Sequence, residues 1–437
     1  MSVELVTPAT FGLLILLLIL GVPLAFAAFA TALTIGLATV GGGSIFLITS
    51  SIYEMSLSYV MLTVPLFVMM GCMMERAGVA DRLFHVLHIW TARLPGGIGV
   101  GAVLAGAVMA AMVGIVGADV ITLGIVALPA MLKRRYDRRL CLGIIAASGS
   151  LGAMIPPSLV LIFYGLIAGE SISQLFAAAL IPGLMMAAMY IAYIILLAWR
   201  LPHLAPPPDE SLGPMSVREH LSLCAHLIGP AAIIFLVLGT IYTGVAAPAE
   251  AAALGAAGSM AVAAIEGKLS LTVIASVIRQ TGQIMAPIVW IVFGSSALIA
   301  VYNISGGMRQ LTSFVSGLPL DGFGILVVII CIFILLGAVI DWIGIALLTL
   351  PIFLPIITDF GYDPIWFGVI FCISVQIAYL SPPFGPACFY LKSVAPPDVE
   401  LTEIFRATIP FVGLQVLALG IVIAWPDLAL WLPGVIR

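Results

Sequence analysis

The chain has 437 residues, of which 63% are hydrophobic and only 8% are charged, and its formal net charge is −4. Soluble domains carry roughly 25% charged residues, so this composition excludes a soluble globular protein and indicates a polytopic membrane protein. The basic residues form no extended face for nucleic acid. The six scattered cysteines contain no CxxC pair, so they give no sign of a disulfide or metal framework.

A spanning helix needs roughly 20 mostly apolar residues, and the first half of the chain contains several apolar stretches. Its stretches in chain order are apolar segments at 11–40, 45–52 and 61–74, an amphipathic segment at 83–94, a Gly-rich segment at 96–131, an interrupted span at 140–168 and a span at 174–198. The N-terminus lacks a basic segment and a cleavage site, which predicts a retained first span. The amphipathic segment is predicted to lie at the membrane interface as a connecting arm. The Gly-rich segment is predicted to be a re-entrant hairpin.

A polar stretch at 200–222 is predicted to be a cytoplasmic linker, which divides the chain into halves at 1–199 and 223–437. The second half follows a similar order: spans at 227–246 and 249–265, an amphipathic stretch at 268–279, a span at 283–303, a hairpin at 323–358, an interrupted span at 366–393 and a last span at 408–432.

Three dipeptides predict that the halves are repeats, because a common spacing by chance is unlikely. Leu128-Pro129, Tyr136-Asp137 and Pro156-Pro157 recur as Leu354-Pro355, Tyr362-Asp363 and Pro382-Pro383, all with one offset (382 − 156 = 226). Interrupted spans in corresponding positions of two halves are the best sequence indication of a transporter's central site.

The loops that precede the two interrupted spans differ in charge. The loop 132–139 contains the densest basic cluster of the chain, whereas the equivalent loop 356–363 has two Asp and no Lys or Arg. The positive-inside rule predicts that the first loop is cytoplasmic, and the charge contrast predicts that the second is extracytoplasmic. The halves would then have inverted topology, which is the arrangement that yields alternating access.

Both interruptions are predicted to bind an ion or substrate. Proline and glycine prevent helix closure, and an unwound segment at membrane depth is tolerated only where it is buried in protein or lines a cavity. Hydroxyl and freed carbonyl oxygens suit a hard cation such as Na⁺, with a site expected near Ser148, Ser150 and Ser381; the alternative for each serine is local bonding to the backbone. The candidate residues are Ser148, Gly149, Ser150, Gly152, Pro156, Pro157 and Ser158 in the first interruption, and Ser381, Pro382, Pro383 and Gly385 in the second.

The hairpins contribute further candidates, namely Gly114, Gly117 and Asp119 in the first and Gly337 and Asp341 in the second. Ionisable residues inside the membrane are expensive and usually functional. Asp119 and Asp341 could therefore attract a cation or accept hydrogen bonds from hairpin backbone. The alternative is that each lies near an interface and is solvated.

Several other polar residues have a simpler interpretation. Glu250 is predicted to mark a helix start. The basic residues Arg309, Lys392 and Arg406 could meet an anionic substrate, but such residues near span ends more often snorkel. No nucleotide-binding motif is present, so uphill transport would have to use an ion gradient.

Five sequence stretches resemble the large membrane subunit, of the DctM type, of tripartite ATP-independent periplasmic (TRAP) transporters. They are Val64-Pro-Leu-Phe67 with Gly71, Ala146–Ser158 with Tyr164-Gly165, Ile181-Pro-Gly183, Pro248–Ala251 and Ser381–Gly385. The first hairpin departs from the Gly-Ser-Ser type of tip that many members have, since it carries Gly114, Gly117 and Asp119. Ser381 stands where many members have Thr.

The resemblance implies an elevator-type transporter of the inner membrane, in which a scaffold carries a mobile domain with two hairpins and two broken helices. It implies Na⁺ as the coupling ion, with no other cofactor, and a small organic anion as the substrate. It also implies two partners, a small four-helix membrane subunit and an extracytoplasmic substrate-binding protein. The chain is thus predicted to be an all-α polytopic membrane protein and not an enzyme. The alternatives are an H⁺-coupled carrier, an integral-membrane enzyme that uses Asp119 or Asp341, and a structural membrane scaffold.

Overall fold

A computed structural model describes residues 3–114, 116–205, 217–317, 319–338 and 340–436. Throughout these ranges the chain forms helices joined by turns, without strands. The helices of the first half are α1 (Val3–Ile19), α2 (Leu24–Thr39), α3 (Gly43–Ser56), α4 (Tyr59–Arg76), α5 (Val79–Thr91), α6 (Gly97–Val113), α7 (Val116–Lys133), α8 (Arg138–Ser150), α9 (Leu159–Ala168) and α10 (Ile172–Arg200), with a short 3-10 helix at Leu151–Ala153. Those of the second half are α11 (Val217–Tyr242), α12 (Pro248–Ile265), α13 (Leu271–Ile304), α14 (Gly307–Ser316), α15 (Gly322–Gly337), α16 (Trp342–Asp359), α17 (Pro364–Leu380), α18 (Pro386–Val394), α19 (Leu401–Ala424) and α20 (Asp427–Val435).

Eight of the described helices are long and apolar enough to cross a membrane, as expected for a polytopic membrane protein. The middle of the predicted linker, 206–216, lies outside the described residues. On its C-terminal side, α11 already begins at Val217.

Two predicted spans and one predicted amphipathic stretch have different bounds in the structure. The stretch 11–40 is not one span, because the chain turns at Gly21, whose φ is 82°, and Pro23 then begins a second helix. Glycine accepts this backbone conformation without steric cost, which ends α1. The last span is likewise divided, since α19 ends at Ala424 and Pro426 starts α20. The amphipathic stretch 268–279 is mostly the beginning of the long helix α13.

The offset of 226 residues continues through most of the helices. α7 and α16 begin and end at equivalent positions, and the counterpart of the amphipathic helix α5 is α14. Each of these two amphipathic helices follows a glycine with positive φ, Gly78 and Gly306. The second amphipathic segment was therefore predicted about 40 residues too early (307 − 268 = 39).

The turns before the two interrupted helices also correspond. Arg135 and Gly361 occupy equivalent positions and have φ of 62° and 82°. Two residues later, the side chains of Asp137 and Asp363 accept hydrogen bonds from the first backbone N–H groups of α8 and α17. Such acceptors satisfy donors that a helix start leaves unpaired. The two halves thus use the same local chemistry to enter the interrupted span.

The helices form two packed groups. The outer group consists of α1–α4 and α11–α13, in which α2 packs against α13 and α4 against α12. The inner group consists of α6–α10 and α15–α20, in which α7 packs against α18 and α9 against α16. Each of these contact pairs exchanges under the repeat, which is what a twofold relation between the halves produces. The two groups meet where α4 touches α6 and where α13 touches α16.

Candidate functional site

The first interruption lies in the centre of the inner group. Helix α8 ends at Ser150, the 3-10 helix follows, and α9 begins at Leu159. All residues from 151 to 160 are buried, Gly152 among them. An unwound segment buried inside the protein fits the requirement that irregular backbone at membrane depth be shielded from lipid.

The serine hydroxyls at both interruptions donate to nearby backbone carbonyls. The donations, at 2.6–2.8 Å, are Ser148 Oγ to Ile144 O, Ser150 Oγ to Ala147 O, Ser158 Oγ to Ala153 O and Ser381 Oγ to Ile377 O. The local bonding weighed as an alternative in the sequence therefore accounts for the four protons. A cation would have to use the remaining lone pairs of these oxygens.

The tip of the first hairpin packs on this interruption. Gly114 has a φ of 62°, and a Cβ atom there would overlap the carbonyl oxygen of Pro157. Farther along, a Cβ on Gly149 would come within 2.8 Å of the Val120 backbone. Two predicted glycines thus permit close contact between hairpin and interruption, which explains why side chains are missing there.

The second interruption is open where the first is closed. Pro382, Pro383 and Phe384 are exposed, Ser381 is half-buried, and only Gly385, with a φ of 31°, is buried. Both Pro–Pro peptide bonds are cis. Equivalent segments of the two repeats therefore have different access to the surface.

Each hairpin contacts the helix that follows the other half's interruption. Gly117 of α7 faces the ring of Tyr390 on α18, 3.0 Å from the position of a Cβ. Trp342 of α16 meets Phe163 of α9 edge-to-face, with ring centroids 5.5 Å apart. The two halves are consequently interleaved around the interruptions.

The two hairpin aspartates have different surroundings. Asp341 starts α16, and its Oδ2 accepts a hydrogen bond from Ile343 N at 3.4 Å, which is the backbone role predicted for it. Gly337, at the end of the preceding helix, lies against Ala378 of α17. Asp119 is fully buried in the first turn of α7, and neither carboxylate oxygen has a hydrogen-bond partner among the described residues.

A buried polar cluster at Ser150 was missed in the sequence. The side-chain amide of Gln376 donates to Ser150 Oγ at 3.1 Å, and that of Gln415 approaches the same oxygen at 3.4 Å. Tyr190 lies beside them, and all four side chains are fully buried. A lone Gln within the apolar helix α17, 226 residues after Ser150, was the signal that could have identified it.

The other polar candidates have structural roles or lie outside. Glu250 accepts a hydrogen bond from Ala247 N at 2.9 Å, which confirms that it marks the start of α12. Lys392 Nζ donates to Val399 O at 2.5 Å. Arg309 and Arg406 are exposed, so none of the three basic residues faces the first interruption.

Apolar helices in two interleaved repeats, with paired interruptions at their centre, define an integral membrane transporter fold. A family model described as "Tripartite ATP-independent periplasmic transporter, DctM component" matches residues 11–428, and the chain belongs to this family. It is therefore the large permease subunit of a TRAP transporter, as its sequence motifs predicted, and the alternative of a membrane enzyme is wrong.

Two relatives and one solved structure illustrate the similarity. The chain is 30% identical over 386 residues to the C4-dicarboxylate TRAP transporter large permease protein DctM of Pseudomonas aeruginosa, covering 88% of each chain. It is 28% identical to the ectoine TRAP transporter large permease protein TeaC of Halomonas elongata, over 85% of this chain and 86% of that one. The crystal structure of the Alcanivorax borkumensis YdaH transporter shares the fold, with a TM-score of 0.59, 15% identity and 90% coverage of both chains.

Proposed function

We propose that this subunit imports a small organic anion across the bacterial inner membrane by an elevator movement that is coupled to a Na⁺ gradient. In this proposal the inner group, with its two hairpins and two interruptions, moves relative to the outer group. The inverted repeat lets each half take the role of the other during the cycle.

The observation that supports alternating access is the unequal exposure of the two interruptions. The first is buried throughout, whereas Pro382, Pro383 and Phe384 of the second are exposed. Two equivalent segments with opposite access are what one end state of such a cycle requires. Exchange of the two environments would give the other end state.

Coupling to Na⁺ is supported by the oxygen atoms around the interruptions. The C-terminal ends of α8 and α17 point toward unwound segments, and the carbonyl ends of half-helices attract cations. Hydroxyl lone pairs of Ser148 and Ser381 add ligands, whereas those of Ser150, the third predicted ligand, already accept the amides of Gln376 and Gln415. A proton gradient is the second candidate, because the hairpins carry Asp119 and Asp341, which could bind a proton.

The substrate and partners are proposed from the family. The relatives' names describe transporters of a C4-dicarboxylate and of ectoine. We therefore expect a small carboxylate-bearing solute, delivered by an extracytoplasmic binding protein. A small four-helix membrane subunit is expected to complete the complex, and the binding protein to set most of the selectivity.

The test is uptake into proteoliposomes that contain this chain, the small subunit and the loaded binding protein. An inward Na⁺ gradient should drive uptake, and replacement of Na⁺ by choline should abolish it. Undiminished uptake in choline would exclude Na⁺ coupling. If a protonophore then abolished the uptake measured in choline, the proton would be established as the driving ion.

A further inference from the structure

Asp119 and Glu75 line one small cavity where the outer and inner groups meet. The cavity has a volume of about 10 Å³, enough for one particle of the size of a water molecule, and lies between α4, α5, α6 and α7. Asp119 belongs to the first hairpin, and Glu75 belongs to α4 of the outer group. The remaining lining is mostly apolar, with the hydroxyl of Thr122 as a further oxygen.

Asp119 has no counter-charge in the part of the chain that the structure describes. Its side chain is fully buried, both oxygens lack a hydrogen-bond partner, and no described ion pair includes it. A buried carboxylate without a partner is costly, so such a group either takes up a proton or pairs with a cation. Because the described protein supplies no partner, the Asp119 carboxylate is available to a cation that reaches the cavity.

Two neighbouring arginine side chains are engaged elsewhere. Arg76 donates to Gln280 Oε1 at 3.3 Å, and Arg82 pairs with Glu266. Glu75 is exposed at the mouth of the cavity, where its Oε2 accepts a hydrogen bond from Gln280 at 3.3 Å. A cation that enters past Glu75 would meet the carboxylate of Asp119 behind it.

We propose that this cavity binds a monovalent cation, Na⁺ in particular, between Asp119 and Glu75. Carboxylate and hydroxyl oxygens are ligands for hard cations. One buried negative charge matches one positive charge, and no cluster of three or more metal-binding side chains exists in the described ranges to hold a divalent ion. The site is separate from the interruptions, whose serine ligands are neutral.

A cation at this position would act as a latch. Its ligands come from both helix groups, so it ties the first hairpin to α4 and must be released before the groups can slide. An ion that travels as cargo needs all its ligands on the moving group, which this site does not provide. The latch rests on the proposed elevator movement, whereas the binding itself does not.

Binding is tested with ²²Na⁺ on the purified full-length protein at constant ionic strength, with choline as the replacement ion. Asp119→Asn should weaken binding at this site roughly a hundredfold, and Glu75→Gln about tenfold, since the exposed ligand contributes less. Asp81→Asn is the charge-matched control, because this carboxylate on α5 does not line the cavity. The Asp81→Asn variant should bind ²²Na⁺ as tightly as the wild type. If Na⁺ also binds at the interruptions, the wild type should show two classes of Na⁺ site. The Asp119→Asn variant should then show only one class.

Wild-type ²²Na⁺ binding by Asp119→Asn would overturn the proposed site. The latch is tested by uptake at rising Na⁺ concentration on both sides of the membrane. Uptake by the wild type should slow when the Na⁺ concentration is high on both sides, whereas uptake by Asp119→Asn should not. Equal slowing of uptake in the two proteins would exclude the latch. Uptake by the wild type that needs no Na⁺ would overturn the proposed coupling and leave the binding result intact.

Discussion

Ser150 and Gln376 occupy the same position in the two halves of the chain, 226 residues apart, and they touch: the Gln376 amide donates to Ser150 Oγ at 3.1 Å. Equivalent residues of a twofold pair meet only on the axis that relates them. This bond therefore marks the centre of the pseudo-symmetric molecule, at the first interruption and about one helical turn before the second.

The first prediction is that removing either partner of this bond lowers the stability of the protein by different amounts. Ser150→Ala leaves the amide groups of Gln376 and Gln415 unpaired, which should cost about 1–3 kcal/mol. Gln376→Leu should cost much less, because its Oε1 already lacks a partner among the described residues. Thermal unfolding in detergent provides the comparison. Ser148→Ala is the control, since that hydroxyl donates only to Ile144 O, and equal destabilisation by Ser148→Ala and Ser150→Ala would contradict the argument.

A second prediction isolates the contact between hairpin tip and first interruption. Gly114→Ala carries the penalty of a positive φ, about 1–2 kcal/mol, and adds a clash with the Pro157 carbonyl. Gly244→Ala is matched to it, because Gly244 has a φ of 69° and no atom within 4 Å of a Cβ. Gly114→Ala should therefore lower both the unfolding temperature and uptake more than Gly244→Ala. Similar values for the two variants would mean that the tip does not press on the interruption.

The third prediction concerns the proline pairs. Replacing Pro156 and Pro157 together with alanine should impair uptake more than folding, because each proline removed gains about 3 kcal/mol of helix propensity while the unwound geometry is lost. Replacing Pro382 and Pro383 together should have the same effects on uptake and folding if the halves are functional repeats. Stability of each purified double variant is measured beside Na⁺-driven uptake. Wild-type uptake with intact stability in both would show that the interruptions serve packing alone.

The fourth prediction places the two equivalent loops on opposite sides of the membrane. Cysteines at Arg135 and Asp359 should react with a membrane-impermeant reagent from the cytoplasmic and extracytoplasmic sides, respectively. The exposed Cys224 and Cys331 must first be replaced, whereas the other four cysteines are buried. Labelling of both positions from one side would eliminate the inverted repeat.

The sequence by itself determined the membrane class, the repeat and the position of both interruptions. These depend on local properties: an apolar stretch must span lipid, and a Pro-Pro pair stops a helix wherever it occurs. The same reasoning failed at Gly21, which was placed inside one span, because its positive φ became visible only in the backbone. It also failed for the second amphipathic helix, whose position is fixed by its equivalence to α5.

Only the tertiary structure decided which polar atoms are paired and which parts of the site are open. Ser150 meets Gln376 and Gln415 because helices far apart in sequence pack side by side. For the same reason Asp119 shares a cavity with Glu75, and its carboxylate has no hydrogen-bond partner among the described residues. The two Pro-Pro segments read alike in the sequence, yet one is buried and the other exposed. Burial depends on what packs against a segment, and that information is carried by the arrangement of the two helix groups rather than by the segment itself.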